Sequence, residues 1–204
     1  MKRIGSICLL GIGSGLAISI GGTVYLSVEN PVVGSVLFAV GLYAVVLNGL
    51  YLYTGKIGYL VEQKEKKPYL ILLLTTWIGN LVGTALGAGL LSQTRIGGNI
   101  RERAAALCQT KLSDSLASIL ILAFFCGILM YVAVEGFRSG GNPLIVIFSV
   151  SVFILCGFEH CIANMFYFSL AGVWSLQTVG YLLVMTLGNS LGGMLLPAFK
   201  RARP

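Results

Sequence analysis

Charge is scarce in this chain. Only 10% of its 204 residues are Asp, Glu, Lys or Arg, whereas 56% are hydrophobic, and the mean hydropathy is +0.90. A soluble globular chain carries nearer about a quarter charged residues, because it must present a polar surface to water. A water-soluble fold is therefore excluded. Acidic residues are scarcer still: seven Asp and Glu stand against fourteen Lys and Arg, for a formal net charge of +7. Taken alone, that excess could suggest nucleic acid. The basic residues sit instead in the connections between apolar runs and at the C-terminus, where they fit orientation and contact with anionic lipid headgroups, so no nucleic-acid partner is expected. The five cysteines are odd in number and lie mostly within apolar runs, which argues against a disulfide framework. Cys156, Glu159, His160 and Cys161 could be drawn as a metal cluster, but a helical register spreads them around the axis. The thiols read as small packing groups, and neither a metal nor a cofactor is expected.

What the chain does contain is a succession of apolar runs. Crossing a hydrocarbon core of roughly 30 Å takes about 20 helical residues. The candidates are Ile4 to Leu26, Pro31 to Thr54, Tyr69 to Leu91, Leu116 to Phe137, Pro143 to Leu170 and Trp174 to Pro197. The first follows Lys2 and Arg3 as a signal peptide would, but it is long, rich in Gly and followed by further spans, so it reads as a retained helix. Lys and Arg tend to stay on the cytoplasmic side of short loops. With the N-terminus inside, Lys2, Arg3, Lys56, Lys64, Lys66, Lys67, Arg138, Lys200, Arg201 and Arg203 fall inside, and Arg95, Arg101, Arg103 and Lys111 outside. That asymmetry supports an all-α integral membrane protein, a single transmembrane domain over 1–204. Its six helices cross an inner or plasma membrane, with both termini cytoplasmic.

Two spans contain interruptions. The second ends in a polar, glycine-rich passage from Leu47 through Asn48 and Gly49 to Lys56, and the fifth carries Cys156-Gly157-Phe158-Glu159-His160 deep in its apolar run. Backbone groups freed by a break at membrane depth are tolerated only where protein or a water-lined cavity receives them. The two breaks therefore point to one shared polar pathway; the alternative is a pair of kinks stabilised by packing. The halves also echo each other. Gly79-Asn80 in the third span resembles Gly188-Asn189 in the sixth; the two asparagines are 109 positions apart, and Thr54 and His160 are 106 apart. The near-constant offset suggests a duplication of 1–91 in 108–200, although Gly-rich helices also resemble one another by chance. Three spans per half make the repeat inverted, an arrangement that puts interrupted helices around a midplane site.

His160 is the sole histidine, beside Glu159 in the interrupted fifth span. An ionisable residue in a bilayer is a functional hypothesis by default; the blander reading is a ring satisfying a nearby carbonyl. Imidazole can donate a proton or serve as a neutral hydrogen-bond donor. Glu159 is read as structural, accepting backbone N–H groups at the break, because a carboxylate would repel an anion on the route.

The string Gly157-Phe158-Glu159-His160-Cys161-Ile162-Ala163-Asn164-Met165-Phe166 resembles the signature of the formate/nitrite transporter family. Leu52-Tyr53-Thr54-Gly55, Gly79-Asn80 and Gly188-Asn189 resemble its other motifs, so the likeness covers nearly the whole chain. The resemblance implies a homopentamer of six-helix protomers, each with its own route for small monovalent anions such as formate, nitrite, hydrosulfide or lactate, possible proton coupling, and no enzymatic turnover. It assigns His160 as the pore histidine, Thr54 as its opposing threonine, Phe38 and Phe153 as aromatic constrictions, Leu42 as an apolar one, and Lys111 as the basic residue before the fourth span. Asn80, Asn164, Asn189, Gly49 and Gly157 fall on structural motif positions. The chain departs from the family pattern at Tyr51, where a glutamate commonly precedes the threonine, at Tyr131, where an asparagine is common, and in the little room before Ile4 for a longer N-terminal helix. Two alternatives stay in view: a neutral-solute channel resembling aquaporins in architecture, whose paired Asn-Pro-Ala motifs are absent, and a nonconducting membrane scaffold or sensor, which the altered Tyr51 and Tyr131 keep open.

Overall fold

A computed structural model describes residues 4–202; Lys2, Arg3 and Arg203 of the inside basic set lie outside the described residues. Among the described residues every regular element is helical. Four helices are long and apolar enough to cross a membrane: α1 (Ile4–Ser27), α4 (Lys66–Ser92), α6 (Leu116–Gly140) and α9 (Leu176–Arg201). Shorter pieces form two broken rods. The first is α2 (Pro31–Leu47) followed by α3 (Tyr53–Lys56), which runs on into a 3₁₀ turn at Ile57–Leu60; the second is α7 (Pro143–Leu155) followed by α8 (Cys161–Ala171). The remaining helix, α5 (Gly97–Leu112), lies between α4 and α6 in the chain.

Asn-Pro pairs start both broken rods. The side chain of Asn30 accepts from Val32 N and Val33 N, and that of Asn142 from Leu144 N, satisfying donors that a helix start leaves open. Proline follows each cap, where its missing N–H costs nothing.

The rods also break by one device. Gly49 has φ +61° and Gly157 φ +66°, the left-handed conformation that ends helices and that glycine adopts without steric cost. The next residue in each case turns its N–H back onto the helix just ended, Leu50 N to Val45 O and Phe158 N to Phe153 O, both at 2.9 Å. A short extended stretch follows, then the second helix begins.

Each break is held by one asparagine. Asn80 on α4 accepts from Tyr53 N at 2.9 Å and donates to Tyr51 O and Gly11 O at 2.8 and 2.9 Å. Asn189 on α9 accepts from Cys161 N at 2.9 Å and donates to Glu159 O and Ala123 O at 2.7 and 2.8 Å. Both are fully buried. The asparagines can reach across because the long helices touch at backbone distance there. A Cβ on Gly79 would stand 2.7 Å from Cys8 O, and one on Gly188 2.6 Å from Leu120 O. α4 thus packs on α1 and α9 on α6, while α2 and α7 pack on each other between them.

Polar side chains are gathered inside an otherwise apolar core, and the exterior is apolar. Ser14, Thr54, Thr76, Asn80, Thr84, His160 and Asn189 are buried, whereas Leu9, Leu74, Phe148 and Leu183 are among the large side chains facing out. This is the distribution a hydrocarbon solvent requires, since lipid tails cannot satisfy polar groups.

The segment read as an external loop is largely α5. Its buried residues Ile100, Ala104 and Cys108 recur every fourth position and face α8, while Arg101 and Glu102 face outward. That spacing is a helical signal. Its charges had hidden it.

Candidate functional site

His160 is the residue at which α8 begins. Its backbone is extended (φ −99°, ψ 111°), and its ring Nδ1 accepts the N–H of Ala163 at 3.1 Å, capping the helix. A nitrogen that accepts carries no hydrogen, so the proton of the neutral ring resides on Nε2. Nε2 lies 2.8 Å from Oγ1 of Thr54, on α3, and therefore donates to it. The expected pairing of the two broken rods is a direct hydrogen bond between fully buried groups.

The interval of 106 between Thr54 and His160 does not join equivalent positions. By hydrogen-bonding pattern, Gly49 corresponds to Gly157, Tyr51 to Glu159 and Leu52 to His160, each 108 apart. Thr54 and His160 are opposed across the fold; Leu52 and His160 share a place in their rods.

Aromatic rings wall the pair on one side. Phe153 stacks on the imidazole with centroids 5.6 Å apart and planes inclined 30°, and Phe38 meets Phe153 edge-on at 6.0 Å. Leu42, one turn beyond Phe38, is buried as well. All three apolar residues expected near His160 are therefore in the interior.

Glu159 differs from its expected role. Its Oε2 accepts from Lys111 Nζ and from Asn164 Nδ2, both at 2.7 Å, and from no backbone group among the described residues. The open N–H groups at the start of α8 go instead to Asn189 and to the His160 ring. The reason is position: His160 is the cap, so Glu159 lies one residue too early and turns toward α5. Lys111, expected among the outside basic residues and before the fourth span, is 15% exposed and bound to a carboxylate that is 3% exposed. Its charge is neutralised. Of the other basic residues on that side, Arg103 donates to Val28 O at 3.0 Å, and Arg95 and Arg101 are exposed.

Two cavities approach the His160–Thr54 pair. One of about 70 Å³, on the α5 side, is lined by Lys111, Phe153, His160, Asn164 and Tyr167 among others. The second, about 600 Å³, is lined by Thr54's near neighbours Leu52 and Gly55 and by Lys56, Tyr59 and Arg138. The Lys56 ammonium sits 3.7 Å above the Tyr51 ring, and Tyr131 accepts from Lys200 and lies 6.0 Å from Tyr59. The two tyrosines that depart from the family pattern thus hold cations near the wider cavity. Tyr167, which sequence reasoning passed over, is buried on the wall of the smaller one. Its spacing of three from Asn164 on a helix was the available signal.

Comparison with known proteins bears on this geometry. The family model described as Formate/nitrite transporter matches residues 1–201. The uncharacterized transporter YrhG of Bacillus subtilis is 30% identical over 181 residues, covering 80% of this chain and 68% of its own. The nitrite transporter NirC of Salmonella typhimurium is 29% identical over 204 residues, covering 91% and 75%, and the formate channel FocA of Haemophilus influenzae 28% over 202, covering 80% and 70%. Among solved structures, a pentameric formate channel with formate bound superposes with a TM-score of 0.86 at 25% identity, covering 98% of this chain and 96% of that one.

Proposed function

Because the chain belongs to the formate/nitrite transporter family, we propose that it passes small monovalent weak-acid anions such as formate and nitrite across a membrane, by a route inside each protomer between the two cavities. The observation that carries this reading is the buried hydrogen bond between Thr54 and His160, with His160 lining one cavity and Thr54's neighbours Leu52 and Gly55 lining another. Family relatives are channels and transporters, and no covalent turnover of the substrate is involved.

The proposed route has six spans in two inverted halves, α2–α3 and α7–α8 being the interrupted second and fifth. The matched Asn80 and Asn189 bonds support this. Cytoplasmic termini in an inner or plasma membrane are supported by Lys56, Lys64, Lys66, Lys67, Arg138, Lys200 and Arg201, which would make the wider cavity the cytoplasmic one. The assembly is proposed to be a homopentamer with lipid in its central opening, as the pentameric neighbour suggests.

An anion between apolar rings loses its hydration and needs donors in return. The His160 Nε2–H is one. When the anion takes Thr54's place as its acceptor, the freed Thr54 hydroxyl can turn and donate too. A second proton could enter the ring only at Nδ1, which already holds the Ala163 N–H. Charging the imidazole therefore opens the first turn of α8, and proton coupling through His160 is tied to that movement.

Flux in proteoliposomes carrying an internal pH dye tests the reading. His160→Asn keeps a cap and a hydrogen-bonding side chain but cannot relay a proton, so it changes the pH dependence of formate flux even where anion current persists. Unchanged flux, selectivity and proton movement from about pH 5 to 8 would remove His160 from the mechanism.

A further inference from the structure

Two residues lining the smaller cavity, Asn164 and Tyr167, carry buried polar atoms, Oδ1 and the hydroxyl, that have no partner among the described residues. Asn164 is 1% exposed and Tyr167 4%. They stand three residues apart on α8, so they share a face. The Asn164 amide nitrogen is committed to Glu159 and to His160 O, which leaves its oxygen as the unused atom. The large majority of buried polar atoms have a partner, and leaving one without is costly. Two such atoms on residues lining one cavity call for a visitor that brings the partners. Lys111 lines the same space, and only one of its three ammonium hydrogens goes to Glu159.

We propose that this cavity is a binding station for a single small weak acid, held by the Tyr167 hydroxyl donating to one substrate oxygen. Lys111 holds the anionic form. Asn164 Oδ1 accepts the hydroxyl of the protonated form, so the station suits the substrate in either state. The inference rests on the transport reading above and names the feature that selects by size. A cavity of about 150 Å³ takes a benzene ring, so one of about 70 Å³ suits an occupant roughly half that size. One carbon or nitrogen with two oxygens fits that space, as in formate or nitrite. The carbon skeleton of lactate does not. Tyr167 lies just outside the motif that carries the family resemblance.

Tyr167→Phe removes one oxygen and keeps the ring, so uptake by proteoliposomes over a range of formate concentrations isolates the hydroxyl. The half-saturating concentration is expected to rise about three- to tenfold, the worth of one hydrogen bond to a charged group less the water that replaces it. The maximal rate should stay nearly constant. The melting temperature of the detergent-solubilised protein should hold or rise, because Phe takes away an unsatisfied group. Tyr167→Leu, which opens the cavity, should raise lactate flux relative to formate. If wild type carries formate and both variants match it in half-saturation and selectivity, the station is overturned and the transport reading stands. A fall in melting temperature that accompanies the loss of uptake in Y167F overturns it as well, by making the hydroxyl structural. Wild type that carries none of these anions sinks the transport reading and the station with it.

Discussion

At Glu159 the protein keeps a carboxylate almost wholly out of contact with solvent, with Lys111 and Asn164 as its partners. Removing one member of a buried pair strands the other charge and costs about 3–5 kcal/mol, whereas replacing both with apolar or neutral groups is often close to neutral. Lys111→Met is therefore expected to lower thermal stability by that order, and Lys111→Met with Glu159→Gln to recover most of it; calorimetry of the purified variants reads both. At Thr54 the expectation concerns transport. Thr54→Val deletes the partner of His160 Nε2 with little change of volume, and formate flux should fall severalfold while the protein inserts normally. The sequence showed that Glu159 and His160 matter because each is an ionisable side chain inside an apolar run. It did not show which would cap the helix. That depends on where α8 starts, by one residue, and on α5 lying close enough to offer Lys111.

On the scale of helices, the two breaks share one construction and should share one energetic cost. Asn80→Ala and Asn189→Ala each abandon three hydrogen bonds to main-chain groups, two of them at the break itself. With unsatisfied buried groups costing about 1–3 kcal/mol each, both variants should be strongly destabilised, and by similar amounts. A large difference in their melting temperatures would argue against equivalent roles. Gly49→Ala and Gly157→Ala should be milder, about 1–2 kcal/mol, because a Cβ at either position meets only the left-handed backbone and no neighbouring atom. These elements were legible beforehand: glycine beside polar residues inside an apolar run marks a broken helix, and Gly-Asn on the flanking span marks what holds it. α5 was not, because its three basic residues, with Arg95 just before them, placed the segment among the connections between spans and drew attention from the buried positions at every fourth residue.

For the molecule as a whole, the outward faces of α1, α4, α6 and α9 are apolar along most of their length, and those surfaces must meet either lipid or other copies of the chain. Native mass spectrometry from mild detergent should yield a pentamer; monomers or dimers alone would reject it. The apolar composition made membrane residence plain in the sequence, but no side-chain pattern states how wide a cavity will be, since that follows from how helices distant in the chain pack together. The two cavities differ severalfold, about 600 against 70 Å³. Drug-sized ligands occupy pockets of about 300–1,000 Å³, so only the wider end could admit one. Inhibition should then be sided: a bulky aromatic carboxylate would plug the route when delivered to the Lys56 and Arg138 face and leave flux untouched from the other, a difference visible in vesicles of uniform orientation. A blocker raised against this protein would have to cross the membrane before it could act, if that face is the cytoplasmic one.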